Sequence, residues 1–211
     1  MINFEDVEFY FVTDSSLSKK GILSDVEDAL KAGCRVVQYR EKNKTTSDMI
    51  REAKQIKKLC NDRAIFLVND NVDVALAIDA DGVHIGKSDI SFKNARRLLG
   101  KEKIIGISVD NLDEAIIAET TGADYIGLGP IFETATKKDA GLPCGIKMIE
   151  NVRKNVNIPL VAIGGITKDN VKAVIESGAD VAVAVSAVIG SADVYKEVKD
   201  FIRIIKGCKT R

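Results

Sequence analysis

The stretch VVQYREK at residues 36–42 begins as an apolar run and then sets Gln38, Arg40 and Lys42 at alternate positions. Side chains two apart on a β-strand share a face. An amide, a guanidinium and an ammonium therefore project together from the end of an otherwise buried strand. Charges gathered there are costly unless an anion meets them. Two carboxylates stand at the ends of the next apolar runs: Asp70 follows AIFLVN and Asp89 follows GVHIG. Mg²⁺ takes one or two carboxylates and completes its coordination with phosphate oxygens and water. The set therefore suits a Mg²⁺–diphosphate complex, with Arg40 and Lys42 neutralising the remaining charge. Farther along, Gly164 and Gly165 follow one apolar run and Ser186 ends another. A glycine turn with free backbone N–H groups beside a helix N-terminus is a cradle for a monophosphate.

These residues need a frame that brings them together. Short apolar segments recur at EFYFVT (8–13), RVVQYR (35–40), AIFLVN (64–69), GVHIG (82–86), KIIGIS (103–108), YIGLG (125–129), PLVAIG (159–164) and VAVAVS (181–186). Between them lie stretches of helical periodicity such as SDVEDALKAG, NLDEAIIAETTG and KDNVKAVIESG. They start on Ser, Asn or Asp and end on Gly33, Gly122 and Gly178, the residues favoured at helix starts and stops. Alternating β and α units predict a parallel sheet, and eight of them predict a (β/α)₈ barrel. A doubly wound open sheet is the competing architecture. It calls for a GxGxxG turn after the first strand, and VTDSSLSKKG has none. No linker or low-complexity run divides the chain, so residues 1–211 are expected to form one domain.

In such a barrel the chemistry lies at the C-terminal strand ends. Gln38, Arg40, Lys42, Asp70, Asp89, Ser108, Gly165 and Ser186 all fall there. Two phosphate sites across one barrel mouth predict a transferase that joins two phosphorylated small molecules. Each residue alone also has a plainer role. Arg40 and Lys42 could pair with helix carboxylates, Asp70 and Asp89 could cap helices or turns, and Gly164-Gly165 could be only a tight turn. His84 reads as a packed or hydrogen-bonded strand residue. The combination is what points to chemistry.

Composition narrows the classes. Lys+Arg and Asp+Glu are both 31, so there is no basic excess for nucleic acid. No apolar stretch approaches the length of a membrane span, and the acidic MINFEDVEFYFVTD lacks the pattern of a signal peptide. Cys34, Cys60, Cys144 and Cys208 form no CxxC pair, which predicts neither a zinc site nor a disulfide framework. A reduced, cytoplasmic protein is expected. The oligomeric state, a homo-oligomer included, is left open.

VTD, VQYREK, NDNVDVALAIDADGVHIGKSD, IIGISV, GADYIGLGPIFETATK, VAIGGI and GADVAVAVSA together resemble the thiamine-phosphate synthase family, over essentially the whole chain and in the family's order. The resemblance implies a (β/α)₈ enzyme. It would couple 4-amino-2-methyl-5-hydroxymethylpyrimidine diphosphate with (carboxy)hydroxyethylthiazole phosphate to give thiamine phosphate and diphosphate. It also implies that Gln38, Tyr39, Arg40, Glu41, Lys42, Asn69, Ser108 and Lys137 bind the pyrimidine diphosphate, with Arg40, Ser108 and Lys137 taking part in catalysis. Asp70 and Asp89 would hold Mg²⁺. Thr134, Ala135, Thr136, Gly165, Val185 and Ser186 would bind the thiazole phosphate. The implied chemistry is a dissociative step through a pyrimidine cation, with the 129–145 loop closing as a lid that carries Lys137. Lys87 stands where the family commonly has Gln, a cation that could pair with Asp89 or add charge to the diphosphate site. The rival readings are a thiazole tautomerase, which has no use for the paired carboxylates and QxREK set, and a non-catalytic thiamine-phosphate-binding protein.

Overall fold

The structure, a computed structural model, describes Phe4 and residues 7–136 and 141–209. Eight strands pair in parallel in chain order: β1 (Tyr10–Val12), β2 (Val36–Tyr39), β3 (Ile65–Asn69), β4 (Gly82–Ile85), β5 (Ile104–Val109), β6 (Tyr125–Leu128), β7 (Leu160–Ile163) and β8 (Val181–Val183). The ring closes where Phe9 bridges Ala182, whose N–H donates to the Glu8 carbonyl at 3.3 Å. This is the (β/α)₈ barrel that the repeat predicts, and not an open sheet. Each strand lies within a predicted segment except β5, which runs one residue further. β3 ends at Asn69 as predicted, and the other runs stop short because their last residues turn into the loops above the barrel.

The helices are α1 (Ile22–Lys31), α2 (Thr46–Cys60), α3 (Val72–Ile78), α4 (Phe92–Leu99), α5 (Leu112–Thr121), α6 (Ile146–Arg153), α7 (Val171–Glu176), α8 (Ser186–Ile189) and α9 (Val194–Lys209). Local chemistry sets their ends. Asn111 accepts the Glu114 N–H to start α5, and Gly122 stops it at φ 92°, where only glycine is unstrained. Among the described residues no helix is long and apolar enough to cross a membrane. The four thiols are free.

Strand alternation divides the apolar residues into two cores. Val37, Phe66, Val83, Ile105, Ile126 and Ala162 face outward under the helices. Val36, Ile65, Leu67, Val161, Val181 and Val183 fill the interior with Tyr10, Tyr125 and Phe4. Phe4 reaches in from the N-terminal side and stacks on Tyr125 with ring centroids 4.7 Å apart. So small a barrel holds a large ring only where its neighbours are bare. A Cβ at Gly106 would stand 2.0 Å from the Tyr125 ring, and one at Gly127 would stand 2.9 Å from His84.

Two glycine substitutions should therefore move stability in opposite directions. Gly106→Ala overpacks the interior and should cost roughly 1–3 kcal/mol or more. Gly207→Ala, in α9 with nothing near its would-be Cβ, should gain up to about 0.5–1 kcal/mol. Urea unfolding of both variants checks the pair, and a tolerated Gly106→Ala would contradict the packing described.

Candidate active site

All eight strands contribute to one cavity of about 360 Å³ at their C-terminal ends. On one wall, Thr13 stitches β1 to β2. Its hydroxyl accepts the Arg40 N–H at 2.9 Å and donates to the Arg40 carbonyl at 3.1 Å. Asp14, 6% exposed, takes the Arg40 guanidinium at 3.0 Å. Beside it, Lys42 Nζ reaches Asp70 Oδ2 at 2.5 Å. Arg40 and Lys42 are thus rim residues paired with carboxylates, but with carboxylates of the strand ends rather than of the helices.

Asp70 is no helix cap, since α3 starts after Asn71. Its backbone is left-handed, φ 62°, and its N–H donates to the His84 carbonyl at 2.8 Å. This conformation, which Asp tolerates better than most residues, turns the carboxyl toward Lys42 and Asp89. Asp89 accepts the Gly86 N–H at 2.7 Å, so it also shapes its own turn. The two carboxyls are close enough to interact. Burial and the neighbouring Asp70 carboxylate raise the Asp89 pKa. Burial opposes ionisation of Asp70 too, but hydrogen bonds from Asp89 and Lys42 outweigh it and hold that pKa below the ordinary value. Two carboxyls this close disfavour joint ionisation, an arrangement that a divalent cation would relieve. Among the described residues no group of three or more His, Cys, Asp or Glu could hold a metal. Two carboxylates awaiting phosphate oxygens fit Mg²⁺ better than a self-contained metal cage.

Opposite, Gly164 and Gly165 adopt φ 100° and 64°. The 130–133 segment packs so closely on them that a Cβ at either would approach its backbone to 2.5 Å. Ile131 N–H bonds the Ile163 carbonyl at 2.9 Å, and Phe132 N–H bonds the Gly164 carbonyl at 3.0 Å. This side of the cavity also holds Thr134, Thr136, Gly165, Val185 and Ser186. Between the walls lie Val12, Val161, Ile163 and Val183, an apolar floor suited to flat heterocycles.

The remaining expected residues divide. Gln38, Asn69 and Ser108 line the cavity. Tyr39 faces the opposite way, into the outer core, and donates to Glu52 at 2.8 Å. Glu41 is buried and accepts the N–H groups of Lys42 and Asn43 at 2.8 Å each, which shapes the chain but leaves it off the cavity wall. Ala135 is not among the lining residues. Lys137 lies outside the described residues. Lys87 lines the cavity yet pairs with Asp110 and Glu114, both at 2.6 Å, instead of Asp89. Sequence reasoning missed Asp14 and Asp110 as charge partners and Tyr10 and Tyr125 as polar groups. Asp14 had a signal, because it stands just past β1 as Asp70 stands just past β3.

The carboxyl pair predicts a pH-dependent substitution effect. A carboxyl whose pKa is raised on folding contributes stability below its unfolded value, near the ordinary 3.8, and loses it as pH rises through the folded value. Asp89→Asn removes that loss and keeps an oxygen for Gly86. The stability of Asp89→Asn relative to the unsubstituted protein should therefore increase from acid to neutral pH in urea unfolding without ligands. A decrease over that range would count against the pair.

Residues 9–188 match the thiamine monophosphate synthase family. The chain is 58% identical to the thiamine-phosphate synthase of Methanosarcina barkeri (strain Fusaro / DSM 804), over 96% of this chain and 92% of that one. With the Methanosarcina mazei thiamine-phosphate synthase the identity is 59%, over 97% of this chain and 85% of that one. The solved thiamine phosphate pyrophosphorylase of Pyrococcus furiosus superposes with a TM-score of 0.90 at 38% identity, covering 98% of this chain and 99% of the other. The eight-stranded barrel, the cavity at its C-terminal rim and this full-length likeness together place the chain in the thiamine monophosphate synthase family.

Proposed function

We infer that the chain is a thiamine-phosphate synthase. It joins 4-amino-2-methyl-5-hydroxymethylpyrimidine diphosphate to (carboxy)hydroxyethylthiazole phosphate and releases diphosphate. One observation carries the reading: a single cavity has a wall of Arg40, Lys42, Asp70 and Asp89, an opposite wall built on Gly164-Gly165, and an apolar floor between them. Two charged phosphate ends and two flat rings fit that division.

In this proposal the diphosphate meets Arg40 and Lys42. Asp14 holds the guanidinium in place, so little side-chain freedom is lost when the anion arrives. Lys42 exchanges Asp70 for a phosphate oxygen, which leaves Asp70 and Asp89 to hold Mg²⁺. When bound, that ion would supply charge neutralisation for the departing diphosphate. The apolar floor keeps water from the pyrimidine carbon until the thiazole nitrogen captures it. The thiazole phosphate lies against Gly165 and Ser186. Nothing among the relatives favours the tautomerase or the non-catalytic binder.

Mixing both substrates with Mg²⁺ should yield thiamine phosphate and diphosphate in equal amounts, and EDTA present throughout should abolish both. Turnover at the same rate under EDTA would refute the metal assignment. Calorimetric titration separates the two walls. Arg40→Ala should weaken the pyrimidine diphosphate by about 1.5–3 kcal/mol, the usual range for a hydrogen bond to a charged group. Ser186→Ala should weaken only the thiazole phosphate, and by less. Interchanged effects would reverse the assignment.

A further inference from the structure

Along the inner lining of the cavity a line of polar side chains crosses the barrel interior, and the reaction outlined above makes no use of most of it. Gln38 Nε2 donates to the Tyr10 hydroxyl at 2.7 Å. The Tyr10 and Tyr125 hydroxyls stand 2.9 Å apart. Tyr125 lies 2.9 Å from His84 Nδ1, and His84 Nε2 lies 2.9 Å from Ser108 Oγ. All five side chains line the cavity; the two phenols are the least accessible, with Tyr10 2% and Tyr125 0% exposed, and the series ends at the half-buried Ser108. Burial raises the pKa of both phenols, so each keeps its single proton.

Proton counting gives the series a direction. An amide nitrogen only donates, so the Tyr10 oxygen accepts from Gln38 and its proton goes to Tyr125. The Tyr125 proton is then left for His84 Nδ1. An imidazole nitrogen that accepts carries no hydrogen, which puts the ring proton on Nε2, facing Ser108. Ser108 accepts there and keeps its own proton for the cavity. In the reverse direction Tyr10 would accept from both Gln38 and Tyr125 and its own buried proton would have no place in the series, while Ser108 would donate to the ring and present only lone pairs to an incoming anion.

We propose that Tyr10 and Tyr125 are positioning residues that act through the Nε2–H form of His84 to present Ser108 to the cavity as a hydrogen-bond donor. The role of that donor rests on the synthase reading. A donor fixed in advance toward an oxygen that gains negative charge stabilises the transition state without reorganising, and the leaving diphosphate is such a group.

His84 is the one histidine in the sequence, so protein carrying ¹⁵N-histidine gives a single imidazole signal that needs no assignment. Long-range ¹H–¹⁵N correlation of the substrate-free protein at mildly alkaline pH should show the Nε2–H tautomer. In Tyr125→Phe the Nδ1 resonance should move toward that of a free imidazole nitrogen, because its donor is gone. An Nδ1–H tautomer or a doubly protonated ring would overturn the proposal. Neither spectrum needs substrate, so the tautomer test stands even if the synthase reading fails. Kinetics then test the coupling. Tyr125→Phe keeps the ring that packs on Phe4 and should lower kcat about tenfold with little change in KM. In a Ser108→Ala background it should cost nothing further. Additive losses would show that Tyr125 does not act through Ser108.

Discussion

The ring of Tyr125 has no exposed surface, stacks on Phe4 and lies against the bare backbone of Gly106. An eight-stranded barrel has an interior just wide enough for side chains, so one ring of this size sets the level to which the interior is filled. Tyr125 itself forms part of the cavity lining, and Phe4 packs against its ring. The same constraint explains the glycines. Gly106 and Gly127 are bare because Tyr125 and His84 lie across them. A buried hydroxyl must also find partners, and Tyr10 and His84 supply them. Packing thus helps shape the site and places these polar groups on its inner lining.

Electrostatics works on that geometry in two ways. Asp14, itself shielded, holds Arg40 in a bond that binding has no need to break. Asp70 pairs with Lys42, and burial together with the neighbouring Asp70 carboxylate raises the Asp89 pKa; in the proposed reading a metal and a phosphate would take over these contacts. Lys87 is settled elsewhere, on Asp110 and Glu114, rather than at Asp89. With Lys+Arg and Asp+Glu equal at 31 each, local placement rather than net charge gives this rim its character.

Much of this was determined by sequence alone, wherever the cause is local. The βα repeat specifies the barrel, because strand and helix periods and their stop residues depend on near neighbours. Alternation in VVQYREK correctly put Gln38, Arg40 and Lys42 on one face, since a strand's period is two. It also explains why Tyr39 and Glu41, included through the family likeness, turn away from the cavity. Only the tertiary structure decided which charge meets which. Asp14 and Arg40 are 26 residues apart, Lys42 and Asp70 are 28 apart, and Tyr10 and Tyr125 are 115 apart. Those distances follow from strand register and barrel closure, which no local pattern encodes. Tyr10 and Tyr125 therefore read as ordinary core residues, and their hydroxyls acquire a role only when the closed ring brings them within hydrogen-bond reach.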